Sequence, residues 1–317
     1  MKQFAYIDDA AGVRAVSPDE AAKANGAARL IWIHLAVNDP ATMPFLVERL
    51  GLDDIVANAL TATETRPRCE PMERGALINL RGLSPQDEPD ADPLISIRLW
   101  IARGCIVSLG RVALRAMPRM CAAMEAGRVK DPGDFVAMLG EAITDQLDPE
   151  ISDLGDELDD CELMLDATRA FPLRRRITGV RVKAIEYRRF VSPQRQALER
   201  LSTLECDWLE PDDRLHLAES ADRFARMAEE LESIRERAAL MHEQITDLRA
   251  EQTDRRALLV SVLALVFLPL TYLTGLFGMN VALPYQHEPW AFDAILGLSA
   301  AVVIAGIGYF LRTRWFR

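Results

Sequence analysis

Two groups of residues in this 317-residue chain have types and spacings that could handle metal ions. The first lies near the C-terminus. Asp254, Ala257, Ser261, Ala264, Leu268, Thr271 and Gly275 follow one another at alternating three- and four-residue steps, which puts them on one face of a helix. That face is small or polar, while the remainder of the segment is Leu, Val and Phe. Small residues let two membrane helices approach closely, and spacing alone favours that reading. The same face also suits a water-accessible wall, with oxygens from Ser261 and Thr271 and a carboxylate from Asp254 at its mouth. Two helices cannot enclose a pore, so a wall of this kind needs several copies of the chain, each residue becoming a ring.

The second group is acidic. Asp145 to Asp166 holds ten Asp/Glu and no Lys/Arg, with Asp145, Asp148, Asp153, Asp156 and Asp159 as candidates to bind or sense a divalent cation through carboxylate oxygens. Arg174 to Arg195 answers it with eight Lys/Arg and one acid, Glu186. Opposite charge predicts an antiparallel helical hairpin, and solvated ion-pairing faces are the plainer use of such residues.

Other chemistry finds no residues to rest on. The five cysteines are scattered without a C-x-x-C pair and the four histidines are dispersed, which argues against a disulfide framework or a structural zinc site. No glycine-rich phosphate loop, nucleophile elbow or H-E-x-x-H occurs, so an enzyme is not indicated. Residues 1–256 carry 34 Lys/Arg against 46 Asp/Glu, a net charge of −12, which disfavours nucleic acid as a partner. The N-terminal MKQFAYIDD has no apolar signal core.

These candidates must be positioned by elements that the pattern predicts. Ala257 to Asn280 is 24 residues without a charge, and at ~1.5 Å per residue it spans a hydrocarbon core about 30 Å thick. Pro269 within it predicts a local bend. A second apolar run, Trp290 to Leu311, carries only Asp293 and is flanked by Trp290, Tyr309 and Trp315 as interfacial anchors. Arg249, Arg255 and Arg256 precede the first run and Arg312, Arg314 and Arg317 follow the second, whereas the connecting loop 281–289 has no Lys or Arg. By the positive-inside rule both termini are cytoplasmic and the loop, with His287 and Glu288, faces outward.

Upstream, residues 1–130 read as a mixed α/β domain, with strands at 28–38 and 76–81, a hairpin over 94–110 turning at Arg103-Gly104, and a helix over 53–65. Residues 131–256 read as long helices. The last of them, 212–256, carries Leu217, Phe224, Met227, Leu231, Ile234, Met241, Ile245 and Leu248 at helical spacing and runs straight into the first span. Residues 257–317 form the two-helix membrane part, with spans 257–280 and 290–311.

The junction Tyr272-LTGLFGM-Asn280 resembles the signature of the CorA metal-ion transporter superfamily, in which Gly-Met-Asn ends the pore helix. Thr63-ETRPR-Cys69, Ile95-SIRLWI-Ala102, Arg188-RFVSPQR-Gln196 and Val266-FLPLTYLTGLF-Gly278 are similar to the ZntB-type zinc transporters within it. The resemblance implies a CorA-like homopentamer in the cell inner membrane. Its fold would be an α+β cytoplasmic domain with long helices forming a funnel, followed by two C-terminal transmembrane helices in contact with lipid. It implies that Asn280, after Gly278 and Met279, forms the ring that meets the hydrated ion. Below it, Gly275, Thr271, Leu268 and Asp254 would line the pore, which turns the stripe from helix contact to pore wall. Neutral amides can hold a hydrated divalent ion without stripping its water. His287 and Glu288 would gather cations outside. Zinc uptake coupled to the proton gradient is the implied activity, with Cd2+ among the accepted ions. The other branch, a Mg2+, Co2+ or Ni2+ channel gated by cytoplasmic magnesium, is the alternative, and Met279 leans toward it.

Overall fold

The computed structural model describes residues 3–63, 66–85, 93–165, 170–279 and 288–312. These fall into two compact units, Met1–Leu165 with Phe171–His242, and the remainder from Glu243 onward.

The first unit is built on a seven-stranded sheet of order β2-β1-β3-β7-β6-β5-β4. Its strands are β1 (Phe4–Asp9), β2 (Gly12–Val16), β3 (Leu30–Ala36), β4 (Arg68–Met72), β5 (Gly75–Leu83), β6 (Leu94–Ala102) and β7 (Cys105–Gly110). All neighbours are antiparallel except β3 and β7, which pair in parallel at the centre, Ile31 opposite Cys105 through Ala36 opposite Gly110. The β6–β7 hairpin turns at Arg103-Gly104 as the sequence predicts; Gly104 has φ +68°, which a side chain resists. The outer strands are short: β4 carries Pro71, and β2 carries Arg14, ion-paired to Glu20 at 2.8 Å. Such features blunt a sheet edge against further pairing.

Alternation sorts the sheet's two faces. Ile31, Ile33, Leu77, Trp100, Val107 and Leu109 join Leu46, Val56 and Leu60 in one core, under α1 (Pro18–Ala24), the helical turn that begins with α2 (Thr42–Pro44) and continues as a π-helical turn over Phe45–Arg49, and α3 (Asp54–Thr61). Helix α3 is shorter than the expected 53–65. Thr61 and Thr63 are β-branched, and Pro67 restricts what precedes it, so the helix gives way to extended backbone at Ala62. The opposite face packs on α5 (Pro132–Leu163), where the Trp32 and Phe135 rings meet edge-on at 4.8 Å.

Two polar devices complete this sheet. Past Asn79 the outer edge of β5 has no strand beside it among the described residues, and Gln194 of α6 (Ala170–Ser202) takes that place. Its Oε1 accepts from the Arg81 N–H at 2.6 Å and its Nε2 donates to the Arg81 carbonyl at 2.9 Å. Between β3 and β7, Ser108 Oγ accepts from Trp32 Nε1 at 2.9 Å and lies 2.7 Å from His34 Nδ1. His34 is 1% exposed, and burial lowers its pKa to about 4, so the ring is neutral at physiological pH.

Long helices follow α4 (Met117–Glu125): α5, α6, then α7 (Pro211–Phe277) and α8 (Ala291–Arg312). Of the eight apolar residues predicted to line α7, all but Leu248 are fully buried, and Leu248 is partly so. The acids of α5 do not chiefly answer the bases of α6. Among the described residues a single pair, Arg176 to Glu157 at 3.6 Å, joins them. The remaining α5 partners come from α4, the segment before it, and α7, because those elements lie beside its acidic face.

His34 gives the fold a pH dependence with a defined sign. The unfolded histidine takes up its proton near pH 6.5 and the folded one only near 4, so stability falls as pH drops through that window. Chemical denaturation of wild type and His34→Gln, compared in detergent, should show their difference shrinking by about 3 kcal/mol between pH 6.5 and 4. A difference that is flat with pH would mean that His34 is not held neutral.

Candidate functional site

The predicted stripe lies on the part of α7 that belongs to the second unit. All seven residues, from Asp254 to Gly275, are exposed. The partly covered positions of the same stretch are others, among them Leu258, Val262, Val266, Leu273 and Leu276. At about 100° per residue the two sets are centred about 140° apart around the helix. The covered set faces α8: a Cβ added at Gly306 would sit 3.5 Å from Val266 Cγ2. The small-residue face is therefore not the seat of the chain's own neighbouring helix. It is open to water or to another copy.

The hydroxyls on this face are held in a particular way. Ser261 Oγ donates to the Ala257 carbonyl at 2.9 Å and Thr271 Oγ1 to the Phe267 carbonyl at 2.7 Å. Off this face, Thr274 Oγ1 donates to the Thr271 carbonyl at 3.1 Å. Each proton is used inside the helix, so the oxygen turns its lone pairs outward as an acceptor. Such oxygens suit a cation or the water around it.

Gly278 closes the helix, its N–H donating to the Thr274 carbonyl at 2.9 Å. A Cβ there would lie 2.9 Å from that same oxygen, so the turn needs glycine. Gly275 is different, with open space where its Cβ would be. Met279 and Glu288 are exposed, while Asn280 and His287 lie outside the described residues.

The five acidic candidates on α5 are not drawn together. Asp145 is shared by Arg119 at 2.6 Å and Arg223 at 2.7 Å, and Asp148 lies 3.6 Å from Arg223. Asp159 pairs with Arg237, which also holds Glu162 at 2.8 Å. Asp153 and Asp156 are exposed. Glu230 of α7 has its carboxyl raised above the usual range, by burial first and then by Asp148 and Asp156.

A carboxylate group that sequence reading missed does form, from Asp131, Asp134 and Asp213, with ligand atoms within 4.8 Å of one another. Its bonds are those of two helix starts. Asp131 Oδ1 accepts from the Asp134 N–H and Asp134 Oδ2 from the Lys130 N–H, both at 2.9 Å, at the head of α5. Asp213 Oδ2 accepts from the Glu210 N–H at 2.8 Å at the head of α7. Reciprocal caps explain the acids without a metal. Burial pushes the Asp213 carboxyl up to about 6. The signal was present as Asp131-x-x-Asp134 and Glu210-Pro-Asp-Asp213.

The face assignment can be checked with thiols. In a background lacking the five native cysteines, Ser261→Cys, Leu268→Cys and Thr271→Cys should react with a charged, membrane-impermeant thiol reagent in assembled protein. Val262→Cys and Val266→Cys should stay unmodified. Equal labelling of both sets would remove the stripe as a water-facing wall.

The family model of the CorA-like Mg2+ transporter protein matches residues 27–312. A zinc transport protein ZntB of Pectobacterium atrosepticum is 32% identical over 90% of this chain and 87% of its own length. That of Yersinia enterocolitica is 29% identical over 98% and 94%. Among solved structures, the full-length CmaX protein matches with TM-score 0.78 at 27% identity, covering 99% of this chain and 98% of that one. The CorA magnesium transporter of Methanocaldococcus jannaschii shares the fold at TM-score 0.79 and 18% identity, over 99% of each chain. With an α/β domain, a long helix running into an apolar stretch and a family match across most of its length, the chain belongs to the CorA-like Mg2+ transporter proteins and is a transporter of divalent cations.

Proposed function

We propose that the chain carries Zn2+ across the cell inner membrane as a homopentamer, taking zinc up with the proton gradient. The observation that carries this reading is the stripe of α7: outward-facing oxygens on a face that the chain's own α8 leaves uncovered. Zinc is favoured by the relatives, since proteins named for zinc transport align along nearly the whole chain.

The membrane part is proposed to cross twice. Helix α7 contains a stretch long and apolar enough to span a membrane. Helix α8 has 22 residues, enough for about 33 Å, although its described apolar run, Phe292–Gly306, is shorter. Arginine placement supports cytoplasmic termini and an outer loop. We retain the division into an α/β part over 1–130, a helical stalk over 131–256 and a membrane part from 257.

In a pentamer each stripe residue becomes a ring. Asp254 would stand at one end, Ala257, Ser261, Ala264, Leu268, Thr271 and Gly275 along the wall, and Gly278, Met279 and Asn280 at the outer mouth. Glu288 and His287 would raise the local cation concentration by their position in the loop. Ser261 and Thr271 offer neutral oxygens that hold an ion weakly enough to release it.

Flux into liposomes decides between ions and coupling. Zinc entry that quickens when the inside is made alkaline is the expected outcome. No flux of any divalent ion through assembled pentamers would end the transporter reading at this site. Magnesium flux indifferent to the pH gradient would favour the channel alternative. Asn280→Ala should slow zinc entry roughly tenfold, the scale of one hydrogen bond lost to the ion's hydration shell, with the oligomer intact. Unchanged entry and selectivity would remove Asn280 from the mouth.

A further inference from the structure

The hairpin of α5 and α6 leaves charges of both signs unanswered. The two helices run antiparallel: a Cβ at Gly140 of α5 would lie 3.7 Å from Leu198 Cδ2 of α6, and Glu157 Oε1 lies 3.6 Å from Arg176 Nε. Asp153, Asp156 and Asp160 of α5 are exposed and have no ion-pair partner among the described residues. The same holds for Arg174 and Arg181 of α6.

Spacing sorts these residues into two rows. On α5, Pro149, Asp153, Asp156 and Asp160 follow at steps of four, three and four; on α6, Arg174, Thr178, Arg181 and Ile185 do the same. Such steps keep to one helix face, and all eight residues are exposed. The α6 row is centred about 170° around its helix from Arg176, so it looks away from the α5 of its own chain. The rows also stand at matching heights. Counting from Glu157 and Arg176, Asp153 lies four residues before and Arg181 five after, while Asp160 lies three after and Arg174 two before. Each pair is level to within one residue, about 1.5 Å, and the same count levels Pro149 with Ile185. Rotation about an axis along the helices moves a residue around but neither up nor down. In a ring of copies, therefore, only level residues meet.

We infer that the α5 row of one copy seats on the α6 row of the next, Asp153 on Arg181 and Asp160 on Arg174, with Pro149 against Ile185 at one end. The inference rests on the homopentamer proposed above and names the surfaces that join its cytoplasmic helices. A second copy of this chain is the occupant because sign, spacing and height all agree between the two rows. A face that meets a different face of its neighbour also closes into a ring rather than a pair. Exposed ion pairs are individually weak, so the rows add little affinity. They fix which faces meet and in which register, since like charges brought together reject the wrong match.

Full-length protein carrying Pro149→Cys and Ile185→Cys together, in lipid nanodiscs, is treated with a short bifunctional thiol cross-linker and run on a denaturing gel. Wild type and each single variant control for the native cysteines. A ladder of linked chains rising to the pentamer is expected. Pro149→Cys with Thr178→Cys, about 10 Å out of level, should give no link between chains. Adding Arg174→Glu and Arg181→Glu to the first pair should lower the linked yield severalfold. Adding Asp153→Arg and Asp160→Arg as well should restore it, which a merely misfolded variant would not do. Linking only within single chains overturns the inference, as does a yield indifferent to the arginines or left low by the full exchange. Intact pentamers without linked chains remove this interface and leave the assembly; monomers throughout remove both.

Discussion

In hydrocarbon no water is present to complete an unmet backbone or side-chain hydrogen bond, and on the proposed reading α7 meets that constraint while still offering acceptors to an ion. The helix satisfies its backbone internally, then turns the hydroxyl protons of Ser261 and Thr271 inward onto the Ala257 and Phe267 carbonyls. What remains outward is acceptor capacity alone. A carboxylate in the same positions would carry a charge into the low-dielectric region at a cost of several kcal/mol. The one carboxylate of the stripe, Asp254, sits before the apolar run begins. Placement of charge at the end and neutral oxygen in the middle follows from solvation before any question of selectivity arises.

The same helix serves two different solvents. Up to Met241 its buried residues recur at helical spacing and pack as in a water-soluble protein. Beyond Asp254 many large residues are exposed, Leu259, Leu263, Phe267 and Tyr272 among them, as suits lipid contact. Glycine at 278 stops the helix because no side chain fits against the Thr274 carbonyl. Gly275 has open space where a Cβ would be, so no contact within the chain requires glycine there.

Much of this was legible from periodicity. The β6–β7 hairpin, the buried face of α7 and the stripe each depend on side-chain type recurring at a fixed step, which a sequence displays directly. Contacts between elements far apart in the chain were not legible. Charge alone paired α5 with α6, yet Asp145 binds Arg119 and Arg223, because charge complementarity names a sign and not an address. The Gln194 cap on β5 was invisible for a related reason: it joins residues 113 apart, and an amide on a helix looks like any other polar surface residue. Its segment, Arg188 to Gln196, was recognised only through resemblance. The three-carboxylate group at Asp131, Asp134 and Asp213 combines two local caps, each readable alone, whose meeting depends on tertiary packing.

Arg98 shows the limit most clearly. In sequence it is one polar residue in the alternating run of β6, and alternation would assign it to a solvent face. The observed sheet is covered on both faces, with α3 above that row, so the alternation of β6 marks two buried surfaces rather than one buried and one wet. A polar residue in such a strand has to be explained by a partner. Ala62 supplies one such bond to Arg98, which ties the end of α3 to the sheet.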